Sequence, residues 1–272
     1  MITLDFSGRT VVVTGGTRGL GKAIGMEFSR AGATVFLTHR WGSVDEQALV
    51  DEFRARELPA PRVVESDVSD PAATRALMTL VRDEGGSLDV VVSNVAFAKV
   101  VHDLEDLKRT SFDLSVGYSA WPVVDLVQAA QEVLGRLPQY VIGISSDGAE
   151  LCHDGYDLAG ASKAVLETLC RYLAHRLRPR GVRVNVLRPG FLDTASSRAT
   201  LGNAVVEEIR RRQGDRGLEP ATVARACLAL CSGLLDGMSG QVVVVDEGWS
   251  LTSPLALLAD DAVPGRDPEE SP

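Results

Sequence analysis

The sequence predicts a single doubly wound α/β domain, with a parallel sheet of roughly seven strands flanked by helices. Three observations predict it. Short β-branched runs alternate with helical stretches through the N-terminal half, the runs are apolar throughout, and no glycine- or proline-rich linker divides the series. Strands apolar on both faces belong in a sheet covered on both sides, and strand–helix alternation makes that sheet parallel. Length alone does not decide between one domain and two, because 272 residues fall between the usual sizes. The unbroken strand spacing decides for one.

The elements follow in order. A strand at Thr10–Thr14 leads into a helix over about Gly19–Arg30, and Thr34–Thr38 is followed by a helix over about Val44–Glu57. Arg62–Glu65 precedes a helix over Pro71–Glu84, and Leu88–Ser93 is the next apolar run. A helix near Ala120–Leu137, a strand at Tyr140–Ile144 and a long helix over Ala159–Leu177 come next. Strands at Val182–Leu187 and Gln241–Val245 complete the sheet, with one more helix starting near Glu219. Pro189–Gly217 interrupts the alternation and holds a short helical pattern, Asn203–Arg212. An insertion beyond a strand's carboxyl end suits a substrate lid. Residues 1–250 form the main domain. Residues 251–272 are a C-terminal extension, whose final run VPGRDPEESP is polar and proline-rich and expected to be disordered from about Val263.

Composition narrows the function classes. Hydrophobic residues make up 45% and charged residues 24%, which suits a packed soluble core. No apolar run is long enough to span a membrane, and MITLDFSGRT lacks the pattern of a secretory signal. The net charge of -9 and 5% aromatic content argue against a nucleic-acid footprint. Cys152, Cys170, Cys227 and Cys231 contain no CxxC pair, so a reduced, cytoplasmic protein is expected. His39, His102, His153 and His175 show no metal-ligand spacing, and no metal is expected.

Thr14-Gly15-Gly16-Thr17-Arg18-Gly19-Leu20-Gly21 joins the first strand to its helix. A glycine-rich turn there lets backbone approach a pyrophosphate, and the helix N-terminus offers unpaired N–H groups. Gly15, Thr17, Arg18, Gly19, Leu20 and Gly21 are therefore candidate dinucleotide contacts. NAD sites usually place an acid about 20 residues beyond the glycines. Here Thr38-His39-Arg40 has none, and Arg40 with Arg18 suits a 2′-phosphate. NADPH is the cofactor this pattern favours. Asp67 and Val68, after the third strand, are placed for the adenine edge.

With Ser93-Asn94-Val95-Ala96, Arg183-Val184-Asn185, Arg188-Pro189-Gly190 and the terminal Gly240–Asp246 run, the chain resembles the short-chain dehydrogenase/reductases over about residues 5–250. The resemblance implies a Rossmann-type NADP(H)-binding catalytic domain, with Asn94, Ala96, Lys163, Pro189, Gly190 and Thr194 beside the cofactor.

The ketone and alcohol enzymes of that superfamily carry a tyrosine four residues before the helical lysine, here Lys163. This chain has Ala159 there. Its only nearby tyrosine is Tyr156, seven residues before Lys163, about two turns if the helix extends back. Gly155 suggests instead that Tyr156 sits on the helix's entry loop. This Tyr-x6-Lys spacing resembles the enoyl-acyl-carrier-protein reductases, as do Tyr156–Glu167, Asn94–Ala98 and Asp113–Ser119. Many of those enzymes have a second tyrosine ten residues before the first; here that residue is Ser146, which also matches the superfamily's usual serine.

Tyr156, Lys163 and Ser146 are thus the catalytic candidates. Tyr156 would act as oxyanion donor, and Lys163 as holder of the nicotinamide ribose. Phe97, His153 and Phe191 are candidate substrate contacts. Trp121 and Trp249 would line an acyl cavity or pack. The preferred activity is NADPH-dependent reduction of an enoyl thioester, carried on an acyl carrier protein or otherwise. The alternatives are a ketoreductase or alcohol dehydrogenase using Tyr156 as proton donor, and a non-catalytic nucleotide-binding scaffold. The resemblance and two long apolar helices imply a homodimer or homotetramer.

Overall fold

The computed structural model describes residues 4–40, 44–213 and 217–252. Its strands are β1 (Thr10–Val13), β2 (Thr34–His39), β3 (Arg62–Glu65), β4 (Val90–Ser93), β5 (Tyr140–Ile144), β6 (Arg183–Pro189) and β7 (Val242–Val245). They form one seven-stranded sheet in the order β3-β2-β1-β4-β5-β6-β7, every neighbouring pair parallel. The predicted fold class is therefore the observed one.

The helices are α1 (Gly19–Arg30), α2 (Glu46–Ala55), α3 (Pro71–Gly85), α4 (Arg109–Ser119), α5 (Pro122–Leu134), α6 (Asp157–Leu177), α7 (Ala195–Leu201), α8 (Asn203–Gln213) and α9 (Pro220–Leu230). One layer packs α1 against α9, and the other packs α3 against α5 and α4 against α6. The apolar runs explain this sandwich. Every residue of β1, β4 and β5 is buried, so each strand supplies core to both layers. Val11, Val13 and Leu37 meet the α1 side, whereas Val12, Phe36 and Val91 meet α3 and α5. Among the described residues no helix is long and apolar enough to cross a membrane.

Several boundaries differ from the sequence expectation. Pro122 starts α5 and Gly135, at φ 67°, stops it, so Ala120–Leu137 shortens at both ends. The long helix α6 begins at Asp157 rather than Ala159, which makes Tyr156 its N-terminal flanking residue. Periodicity predicts neither α4, whose C-terminal half Asp113–Ser119 only the resemblance marks as a helix start, nor α7. Helix α4 buries only Ser115 and Ser119, so no apolar stripe marks it. Helix α7 is a short piece set by a capping box, Thr194 accepting from the Ser197 backbone and Ser197 reaching back. The expected disorder from Val263 lies outside the described residues.

Strand order reverses between β1 and β4, where β1 continues to β2 on one side and β4 to β5 on the other. The carboxyl ends at such a point open into a crevice. Here the crevice is a cleft of 2210 Å³.

Candidate active site

The cleft's adenosine end is built on the glycine turn. Thr14 N–H donates to Val92 O (3.0 Å) and Gly16 N–H to Thr38 O (3.0 Å), tying the turn to both neighbouring strands. Asn94 Nδ2 donates to Thr14 O (2.9 Å) and Gly15 O (3.2 Å), so its amide shapes the turn itself. A Cβ on Gly21 would run into Gly15 O. Only glycine lets the first turn of α1 come this close, leaving the backbone cradle that a pyrophosphate needs.

Gly15, Thr17, Arg18, Gly19, Leu20, Gly21, Arg40, Val68, Asn94 and Ala96 all line this end. Arg18 is exposed and forms no ion pair among the described residues. Arg40 lies over the Tyr118 ring, 4.7 Å from its centroid, and its Nε reaches Asp67 Oδ2 at 2.9 Å. Asp67 also accepts from Ser69 and Tyr118, so its carboxylate is committed to the protein and does not line the cleft. Its hydrogen bonds with Ser69, and Arg40 beside it, outweigh burial and hold its pKa below the ordinary carboxylate value. Val68 alone of that pair reaches the wall. Sequence reasoning passed over Tyr118, whose aromatic face carries Arg40. The donor set fits a phosphorylated dinucleotide: a backbone cradle, and two guanidinium groups at the ribose end.

At the other end, β5 delivers Ser145 and Ser146, a 3₁₀ turn follows at Asp147–Ala149, and α6 presents Lys163. Lys163 is buried, and its Nζ donates to Ile144 O at 2.8 Å. Burial pulls its pKa from 10.5 down to about 8. Tyr156 stands at the head of α6. Burial pushes its phenol upward, Asp147 adds to this, and the neighbouring Ser146 hydroxyl partly offsets it. Ser146 Oγ is buried and completes no hydrogen bond of its own. Gly148 makes room for the phenol, since a Cβ there would lie 2.5 Å from Tyr156 Cδ1.

Ser146, Tyr156 and Lys163 all line the cleft, as do Pro189, Gly190, Thr194, Phe97, His153 and Phe191. Thr194 Oγ1 is engaged as the α7 cap, and its methyl would sit 3.8 Å from a Cβ on Gly19. His153 Nε2 is 3.1 Å from Asp147 Oδ2, with its ring edge-on to Tyr156 at 6.0 Å. Phe97 packs edge-on against Tyr118 at 5.6 Å. Trp249 lines the cleft, whereas Trp121 does not: its indole donates to Asp125 instead. Among the described residues no group of three or more potential ligands could hold a metal.

The sequence reading overlooked one cluster, in which Arg188 and Glu167 are buried and Glu150 is exposed. Arg188 on β6 forks onto Glu167 of α6, Nε to Oε1 at 3.0 Å and Nη2 to Oε2 at 2.7 Å. Its Nη1 meets Glu150 Oε2 at 2.6 Å, and Ser145 Oγ donates to Glu167 Oε1 at 2.6 Å.

A protein-family model described as enoyl-(acyl carrier protein) reductase matches residues 15–250. The NADH-labelled enoyl-[acyl-carrier-protein] reductase FabI of Synechocystis is 28% identical over 261 residues, covering 91% of this chain and 98% of its own length. The Bacillus cereus enoyl-acyl carrier protein reductase, solved with NADP+ and indole naphthyridinone, superposes with a TM-score of 0.81 at 25% identity, over 92% of this chain and 100% of that one. A Burkholderia cenocepacia short-chain dehydrogenase solved with NADP gives 0.77 at 26% identity, over 89% and 98%. With the switch-point cleft, the glycine cradle and the family match from Gly15 onward, this chain belongs to the short-chain dehydrogenase/reductases, in the family described as enoyl-(acyl carrier protein) reductase.

Proposed function

We propose that the protein is an NADPH-dependent reductase of 2,3-unsaturated acyl thioesters. One observation carries the reading. The position four residues before Lys163 holds a side chain without a hydroxyl, Ala159, while Tyr156 and Ser146 bring two hydroxyls to the cleft wall that Lys163 also lines.

When bound, the cofactor supplies hydride to the substrate's β-carbon. Electrons displaced from the double bond then collect on the thioester oxygen as an enolate. The Tyr156 phenol, protonated at neutral pH and pushed further from ionisation by its burial, donates to that oxygen, and Ser146 Oγ is the second donor. Lys163 holds the ribose and keeps positive charge on the cleft that the phenol also lines. The α-carbon takes its proton from solvent. Arg18 and Arg40 receive the 2′-phosphate, which favours NADPH, as does the NADP+ in the Bacillus cereus relative. Residues 189–217, of which 214–216 lie outside the described residues, serve as the substrate lid, and the active form is a homodimer or homotetramer.

Ser146 supports a second reading, a ketoreductase or alcohol dehydrogenase in which Tyr156 protonates a carbonyl. Incubation with NADPH and matched trans-2-enoyl and β-keto thioesters separates the readings. A saturated acyl thioester is expected. Reduction of the β-keto compound alone, dependent on Tyr156, would establish the second reading. NADPH binding without turnover of either would leave a nucleotide-binding scaffold.

A further inference from the structure

We infer that Arg188 is a positioning residue that holds Glu167 away from Lys163 and, through Glu150, fixes the segment that carries Tyr156. The inference rests on the roles proposed above for Lys163 and Tyr156.

Lys163 and Glu167 are four residues apart on α6, the spacing at which lysine and glutamate on a helix meet. They do not pair. Both Glu167 oxygens face Arg188, one of them shared with Ser145 Oγ, and Lys163 turns to Ile144 O. The Lys163 charge is therefore left beside the cleft, unquenched by the nearest carboxylate on its own helix.

The third arm of the guanidinium does separate work. Glu150 lies between Ser146 and Tyr156 in sequence, on the segment leaving the 3₁₀ turn. Ser145 N–H donates to Leu187 O at 2.8 Å, so the β5 end is registered beside Arg188 as well. One guanidinium thus ties the segment bearing Ser146 and Tyr156 to the helix bearing Lys163 and to the Pro189–Gly190 turn.

Stability does not account for this arrangement. A buried ion pair contributes little net stability, and apolar residues of equal volume fill a core as well. Its effect is to decide where charges lie, and a planar fork does that more rigidly than an ammonium. Cys170 on α6 faces Lys163 and also Glu167, which Arg188 of β6 holds together with Glu150; Tyr156 at the head of α6 faces Asp147. Arg188 balances Glu167 and Glu150, while Asp147 meets His153.

The test follows Lys163 directly, through its ε-carbon resonance in lysine-labelled protein, assigned by loss in Lys163→Met. Arg188→Met should raise its titration midpoint by about 0.5–1 pH unit as Glu167 is released. Glu167→Gln should lower it, and Arg188→Met/Glu167→Gln should return it to the wild-type value. Glu150→Gln should reduce kcat about tenfold, the size of a weakened positioning contact, with NADPH affinity unchanged, and Glu150→Asp should recover part of it. Should Arg188→Met not fold, Glu167→Gln and the double variant decide. An unmoved midpoint in folded variants, or one moved the same way in both single variants, overturns the inference. The titration needs no substrate. Failure of the proposed reaction would appear separately, as a wild-type protein that titrates as expected but reduces no thioester.

Discussion

The two ends of the cleft solve the same problem, placing charge at the carboxyl edge of one sheet, in opposite ways. At the adenosine end, Arg40 and Asp67 are 32% and 27% exposed, and Arg40 lies across an aromatic ring. At the nicotinamide end, Arg188 and Glu167 are 7% and 6% exposed, and every oxygen of Glu167 is used. A pair within reach of water exchanges partners cheaply, so an incoming phosphate can compete for its guanidinium. A buried pair cannot, because loosening either member strands a desolvated charge. On the proposed reading, the first end serves selection and the second alignment.

The sharpest way to break the comparison is at the aligned end. Tyr156→Phe keeps the ring and removes the donor, and turnover of the enoyl thioester should fall roughly 10²-fold while cofactor affinity holds. Steady-state kinetics with cofactor titration checks it; unchanged kcat would remove Tyr156 from the chemistry. At the exchangeable end, Arg40→Asp should raise the NADPH dissociation constant by about 10–150-fold, the loss of about 1.5–3 kcal/mol of charge-assisted contact. NADH affinity should change far less. Equal NADPH affinity in both proteins, measured by fluorescence titration, would place the phosphate elsewhere.

A smaller effect concerns stability. Lys163 binds its proton less tightly when folded, at about 8 against 10.5. The unfolded chain therefore holds more protons between those values, and the folded state gains stability as pH rises through that window. Below pH 8 the penalty is present in full. Lys163→Met should therefore be inactive yet more stable at pH 7 by about 1–2 kcal/mol, after subtracting the lost bond to Ile144 O. Denaturant titrations should show the advantage vanishing near pH 10. The smallest expected effect is local: amides in residues 194–213 should exchange faster than those of Tyr140–Ile144 and slow when NADPH and an acyl thioester bind. Protection equal to β5 in the free protein would sink the lid.

Much of this architecture was legible in the chain. Arg62–Glu65 and Tyr140–Ile144 are strands with the expected bounds; in the second, an apolar run ending in Ser145-Ser146 leaves little choice. Ser146, Tyr156 and Lys163 were legible as candidates, and the structure brings them to one wall. The pairings were not legible. Arg40 and Asp67 read as two independent cofactor contacts, yet they meet each other across adjoining strand ends. Arg188 read as part of a turn motif and Glu167 as part of a helix; their meeting follows from α6 lying on β6, a tertiary fact with no local pattern. Helix α4 shows the same limit, since two buried serines leave no periodic stripe to read.

The last strand gives the molecule a history as well as a shape. Pro189 is in register with Val245, Gly190 N–H donates to Val245 O at 2.9 Å, and a Cβ on Gly190 would lie 2.7 Å from Asp246 Cβ. The nicotinamide turn therefore rests on residues synthesised some fifty-five positions later. During translation the glycine cradle of β1 and α1 emerges early, but its counterpart across the cleft waits for β7. A nascent chain halted before Val242 would carry the adenosine half of a site and lack the support for the other. On the proposed reading, competence to hold the whole dinucleotide comes only once β7 has been made.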